Sequence, residues 1–153
     1  MEPKSYLRRE CLYFDLEVQN KDELLETMVS RLCTFAKIDS PWPAINAVQA
    51  REAIGSTGLA RGVASPHGIV PGLHQTLVGV ARLVTPVDFG ASDGQASRHI
   101  FLVLSPEDGD GLQHIRAMAE VVQCYKNPGL VKLLDQAKSP DEYWSLLNGC
   151  LDD

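Results

Sequence analysis

Residues 51–68, REAIGSTGLARGVASPHG, carry the densest chemistry in this chain of 153 residues. Pro66-His67-Gly68 places an imidazole between a residue that fixes φ and one that lacks a Cβ. The ring is therefore expected at a rigid bend that another molecule can approach closely. A neutral imidazole is a nucleophile near pH 7, and it can take a phosphoryl group on nitrogen and pass it on. Such a site needs an accessible ring, donors for the phosphoryl oxygens, and no strong base that would activate water. Arg51 offers a planar cationic fork for those oxygens. Ser56 and Thr57 offer hydroxyls, while Gly58 and Gly68 offer uncrowded backbone N–H groups. Phosphoryl transfer is mainly positioning and charge stabilisation, so a short list of donors suffices.

Taken alone, Pro-His-Gly is more often a turn than a site. Each of the other histidines has an ordinary reading. His74 sits in a polar turn and is expected to be solvated. His99 starts an apolar strand and reads as an edge residue. His114 lies in the first turn of a helix, beside its apolar stripe, and as a lone residue reads as structural. No carboxylate or thiolate pattern accompanies the histidines, so no metal is called for, and no cofactor either. Cys11, Cys33, Cys124 and Cys150 lack CxxC spacing and are too scattered for a disulfide framework. Without a GxSxG-like element, a histidine-based hydrolase is disfavoured.

The elements that must position these residues are readable from periodicity. Leu12, Phe14, Leu16 and Val18 alternate across residues 10–18, the pattern of a half-buried strand. Asn20 followed by Glu23 predicts a capping box for an amphipathic helix over residues 21–36. Ser40-Pro41 opens a second helix that should end near Arg51-Glu52. Residues 55–58 read as a loop, and Val63-Ala64-Ser65 as extended chain before the proline. Leu77–Val84 and Ile100–Leu104 are strands, one of them buried on both faces. Residues 111–125 are helical, with Leu112, Ile115, Met118, Ala119 and Val122 as the apolar stripe. Asn127-Pro128-Gly129 breaks that helix, and a short one follows through Val131, Leu133 and Leu134. Ser139-Pro140-Asp141-Glu142 starts a last helix, with Leu146 and Leu147 on its core face and Gly149 at its end. Strands intermixed with helices predict an α/β fold, but not its strand order.

A chain of this length predicts one domain over residues 1–153, large enough for its own core. The net charge of −6 argues against nucleic acid as the main partner, because phosphate backbones select basic surfaces. Met1-Glu2-Pro3-Lys4 is not secretory in character, and no apolar run is long enough to insert in a bilayer. A reducing, cytoplasmic setting is expected.

Arg51-Glu52, Gly55-Ser56-Thr57-Gly58, Gly62-Val63-Ala64 and Pro66-His67-Gly68 together resemble the IIA domain of the fructose/mannitol class of the bacterial phosphotransferase system. The run is most similar to the nitrogen-regulatory branch, with its RE, GSTG and GIAIPHG pattern. Val87-Asp88-Phe89, the Ile100–Leu104 strand, the Gly-Leu-Gln-His114 helix start and the Ser139–Glu142 segment extend the likeness over nearly the whole chain.

The resemblance implies a mixed central β-sheet flanked by helices on both faces. It implies that His67 is the phosphoacceptor, that His114 is a second active-site histidine, that Arg51 belongs to the site, and that Thr57 lies close to it. The donor would be a small histidine phosphocarrier protein docking on a largely apolar surface. Downstream, the partner would be a regulated protein in the nitrogen branch, or the cysteine of a IIB domain in the sugar branch. A non-catalytic interaction module of the same fold is the remaining alternative. Two positions depart from the pattern. Ser65 replaces a branched apolar residue, adding a hydroxyl and removing packing, and Ala60-Arg61 stands where Gly-Asn is common, adding a charge near the site for docking or phosphate binding.

Overall fold

The computed structural model describes residues 5–152. Met1-Glu2-Pro3-Lys4, read above as lacking secretory character, lies outside the described residues. In chain order the elements are β1 (Leu7–Leu16), α1 (Lys21–Phe35), α2 (Trp42–Ile54), a 3-10 turn (Ala60–Gly62), β2 (Val63–Ala64), β3 (His67–Val70), β4 (Leu77–Val87), β5 (Ser97–Pro106), α3 (Leu112–Tyr125), α4 (Pro128–Gln136) and α5 (Pro140–Asp152).

These elements build one mixed sheet in the order β1-β4-β5-β2, with β3 following β2 along the same side of β5. β4 and β5 are antiparallel, while β1 on β4, and β2 and β3 on β5, are parallel. Central position explains the apolar run in β5. Ile100, Leu102 and Leu104 enter a core with α1 and α2, whereas Phe101 and Val103 enter a second core with α3, α4 and α5. Helices thus cover both faces, as expected.

Local signals set the helix starts. Asn20 Oδ1 accepts from the Glu23 N–H at 2.8 Å, and Glu23 reaches back to the Gln19 N–H at 3.1 Å. Ser139 and Glu142 repeat the device at α5, with bonds of 3.1 and 3.0 Å. The second helix starts less conventionally. Trp42 N–H donates to Ser40 Oγ at 3.4 Å, Pro41 takes the capping position without a side-chain bond, and the helix runs on to Ile54. α5 likewise continues through Gly149 to Asp152.

Three sequence expectations are overturned by packing. Most of the stripe on α3 faces outward: Leu112, Ile115 and Val122 are 39%, 64% and 38% exposed, while Met118 packs partly against the core and Ala117, Val121 and Cys124 are buried. Helical periodicity identifies residues that share a face; here a second face of smaller apolar residues meets the sheet. His99 is no edge residue, because β5 has neighbours on both sides. It is fully buried, with Nδ1 2.9 Å from the Tyr143 hydroxyl and Nε2 2.6 Å from the Asp135 carboxylate. The alternation in β1 breaks at Asp15, whose φ is 53°. Leu12 and Phe14 therefore pack toward the α5 side, and Leu16 and Val18 toward the α1 side.

Candidate functional site

The site is assembled by the register of β3 on β5. His67 pairs with Val103, Gly68 with Leu104 and Ile69 with Ser105. Strand alternation then turns His67 and Ile69 toward α3 and Gly68 toward α2. Pro66 has no N–H to give, so it sits at the break between β2 and β3, and its carbonyl accepts from the Val103 N–H at 3.0 Å. The bend expected at His67 is this short interruption; the histidine itself opens a strand.

α3 brings the second ring. His114 is in its first turn, and the two imidazole centroids are 5.6 Å apart with their planes tilted by 57°. His67 and His114, distant in sequence, therefore share one site. The His67 ring is half-buried. Its Nδ1 is 3.1 Å from the Ser65 carbonyl oxygen. A carbonyl can only accept, so Nδ1 carries the proton and Nε2 keeps the nucleophilic lone pair. Burial, and secondarily the neighbouring His67, hold the His114 pKa below the ordinary histidine value, which favours a neutral ring. The start of α3 also directs its partial positive end to this region.

The remaining residues of the motif hold the scaffold. Thr57 O accepts from Ser65 N–H at 3.0 Å, Gly58 bridges Ala64, and Leu59 N–H donates to Val63 O at 2.7 Å, so residues 57–65 fold into a small hairpin. The buried Glu52 carboxylate anchors it by accepting from the Thr57 hydroxyl, the Thr57 N–H at 3.0 Å and Lys21 Nζ at 3.3 Å. Both Thr57 donors are thus turned to Glu52. Gly68 is backed by α2: a Cβ there would lie 2.9 Å from Val48 Cγ2 and 3.1 Å from Val48 N. Arg51 is one helical turn beyond Val48, on the same side of α2. Its guanidinium donates to the Gly55 carbonyl at 2.8 Å, at the end of that helix.

The two departures from the family pattern are also placed. Ser65 is buried, and its hydroxyl points to Met118 Sδ of α3 at 3.8 Å. Arg61 has a left-handed backbone with φ 63°. Its N–H donates to Asp93 at 3.0 Å, and its guanidinium lies 3.4 Å from the Tyr125 carbonyl and 5.5 Å over the Tyr125 ring. Tyr125 ends α3, so this charge lies roughly 16 Å along the helix from His114, at about 1.5 Å rise per residue. The Arg61 charge is thus held on Tyr125, at the opposite end of α3 from His114.

Sequence reasoning missed Glu52, Thr76 and Ser105. Glu52 was visible only as half of an Arg-Glu pair. Ser105 bonds His114 Nδ1 at 2.7 Å, and Thr76 bonds Ser105 at 3.3 Å. A hydroxyl closing an apolar strand was the available signal, but its partner depends on strand order. His74, Thr76, Ser105, Gln113 and His114 line part of a cavity of about 330 Å³, in which His74 is exposed as expected. Among the described residues, no group of three or more His, Cys, Asp or Glu could hold a metal. No helix among them is long and apolar enough to cross a membrane.

Comparison with known proteins gives the same architecture a family. A nitrogen regulatory protein of Escherichia coli K12 is 31% identical over 144 residues, covering 94% of this chain and 87% of the relative. One from Bradyrhizobium diazoefficiens is 30% identical over 132 residues, covering 86% and 85%. The crystal structure of the nitrogen regulatory protein IIA-Ntr from Neisseria meningitidis superposes with a TM-score of 0.83 at 30% identity, covering 93% of this chain and 96% of that one. Residues 5–150 match the family described as phosphoenolpyruvate-dependent sugar phosphotransferase system, EIIA 2, and the chain belongs to that family.

Proposed function

We propose that this protein is a phosphocarrier that accepts a phosphoryl group on His67 Nε2 and passes it on, acting as a nitrogen-type regulator. The observation that carries the proposal is the pairing of His67 and His114 at 5.6 Å, with the His67 proton held on Nδ1 by the Ser65 carbonyl. In the reaction, the Nε2 lone pair attacks phosphorus in line as the nitrogen–phosphorus bond of the donor breaks. Positive charge that develops on the ring is shared with Ser65 O through Nδ1–H. His114 and the fork of Arg51 are placed in this reading as donors to the phosphoryl oxygens. No strong base is needed, and none is among the residues assigned to the site.

The donor in this reading is a histidine phosphocarrier protein. Ile69, two residues after His67, is 50% exposed, and the outward face of α3 adds Leu112, Ile115 and Val122. Exposed apolar side chains grouped beside a reactive ring support docking of a protein. The nitrogen branch is favoured over a sugar-specific subunit by likeness: nitrogen regulatory relatives are 30–31% identical, against 25% for the EIIABC component specific for 2-O-alpha-mannosyl-D-glycerate.

Incubation with a phosphorylated carrier protein, read by intact mass, tests the proposal. One acid-labile phosphoryl group should appear on the wild type and be lost in His67→Ala. His114→Ala should still accept the group but transfer it slowly. Absence of any addition to the wild type, where a control IIA domain accepts, would overturn the reading.

A further inference from the structure

We propose that Thr76 and Ser105 form a buried hydroxyl relay that fixes His114 with Nδ1 as acceptor and Nε2 as N–H donor. Both are then positioning residues for the phosphoryl group. The inference rests on the phosphocarrier reading of His67, and it names two residues outside the sequence motif.

Thr76 and Ser105 are each 2% exposed, in a region where a polar group must find a partner. Thr76 precedes β4 and Ser105 lies near the end of β5, on the His67 face of the sheet. The Thr76 N–H donates to Gln113 Oε1 at 2.9 Å, which ties the first turn of α3 to this strand end. The Thr76 hydroxyl donates to Ser105 Oγ at 3.3 Å, and Ser105 Oγ lies 2.7 Å from His114 Nδ1. A hydroxyl has one proton. Thr76 already gives its proton to Ser105, so among the described contacts His114 Nδ1 is the acceptor left for the Ser105 proton. A neutral ring must then carry its proton on Nε2.

The two histidines are consequently set in opposite tautomers by different partners. A carbonyl that can only accept holds the His67 proton on Nδ1 and bares the Nε2 lone pair. A hydroxyl held in donating orientation leaves His114 the reverse arrangement. One ring presents a lone pair to phosphorus and the other presents an N–H to a phosphoryl oxygen. Such a preset donor need not reorganise as charge moves. A neutral N–H also holds the phosphoryl group less tightly than an imidazolium, which suits a group that must leave again. The lowered His114 pKa agrees with a neutral ring.

Nitrogen-15 NMR of the imidazole rings in the full, unphosphorylated chain tests the assignment directly. The wild type should show an unprotonated His114 Nδ1 and a protonated Nε2, as one state. Ser105→Ala should give averaged shifts from mixed tautomers, and transfer out of phospho-His67 should slow about tenfold with acceptance retained. Ser105→Thr, which keeps the hydroxyl, should restore both readouts. A protonated Nδ1 in the wild type overturns the proposal, as does a Ser105→Ala variant with unchanged tautomer and rate. Should the wild type accept no phosphoryl group, the phosphocarrier reading fails, whereas the ring spectrum still decides the relay.

Discussion

Gly68→Ala tests the packing of α2 on β3 at the residue after His67. The added Cβ would lie 2.9 Å from Val48 Cγ2, 3.1 Å from Val48 N and 3.3 Å from Val48 Cα. The methyl can rotate, but the other two atoms are helix backbone, so α2 must move away from β3. Overpacking of this kind costs about 1–3 kcal/mol. For a chain of this size each kcal/mol lowers Tm by roughly 2–4 °C, so a central loss of about 2 kcal/mol corresponds to a shift of roughly 4–8 °C. Thermal unfolding followed by circular dichroism measures it. Val48→Ala in the same chain should relieve only the Cγ2 contact and leave a residual penalty, because N and Cα remain. Arg51 rides on the displaced helix, so phosphoryl acceptance should weaken at temperatures where the variant is folded. An unchanged Tm in Gly68→Ala would refute the packing role, and full rescue by Val48→Ala would refute the backbone contact.

Burial holds the pKa of both His99 and His114 below the ordinary histidine value. As pH falls below about 6.5, the unfolded chain takes up protons that these folded rings refuse, so stability should decline with falling pH. A Tm that stays level or rises through that window would contradict the assignment. A phosphoryl group on His67 places negative charge beside His114, so an NMR titration should find the His114 pKa raised in the phosphorylated protein. Arg61→Asn exchanges a strained left-handed arginine for a residue that tolerates that conformation, while losing the contacts to Tyr125. These effects oppose each other, so Tm should change by less than about 2 °C. Acceptance should be unaffected, and a tenfold drop would return this charge to the site.

Much of the scaffold is written locally. The Asn20–Glu23 and Ser139–Glu142 boxes act within one turn, so their spacing alone identifies the starts of α1 and α5. The apolar run of β5 signals burial on both faces, and the Pro-His-Gly setting marks His67. Chain positions distant from that motif entered only through family likeness, as with His114.

Tertiary structure decided which faces meet and which donors are engaged. Periodicity grouped Leu112, Ile115 and Val122, but the choice between sheet and solvent depended on the competing face of α3 and what lay beneath it. The Thr57 hydroxyl offered by the sequence is turned to Glu52 by the fold, and the Arg61 guanidinium is held over Tyr125. Ser105 could not be assigned to His114 before strand order set β3 beside β5 and α3 above both. Caps and alternation are short-range, so sequence determines them; a hydrogen-bond partner or an exposed face belongs to the assembled sheet and helices, and only the fold can supply it.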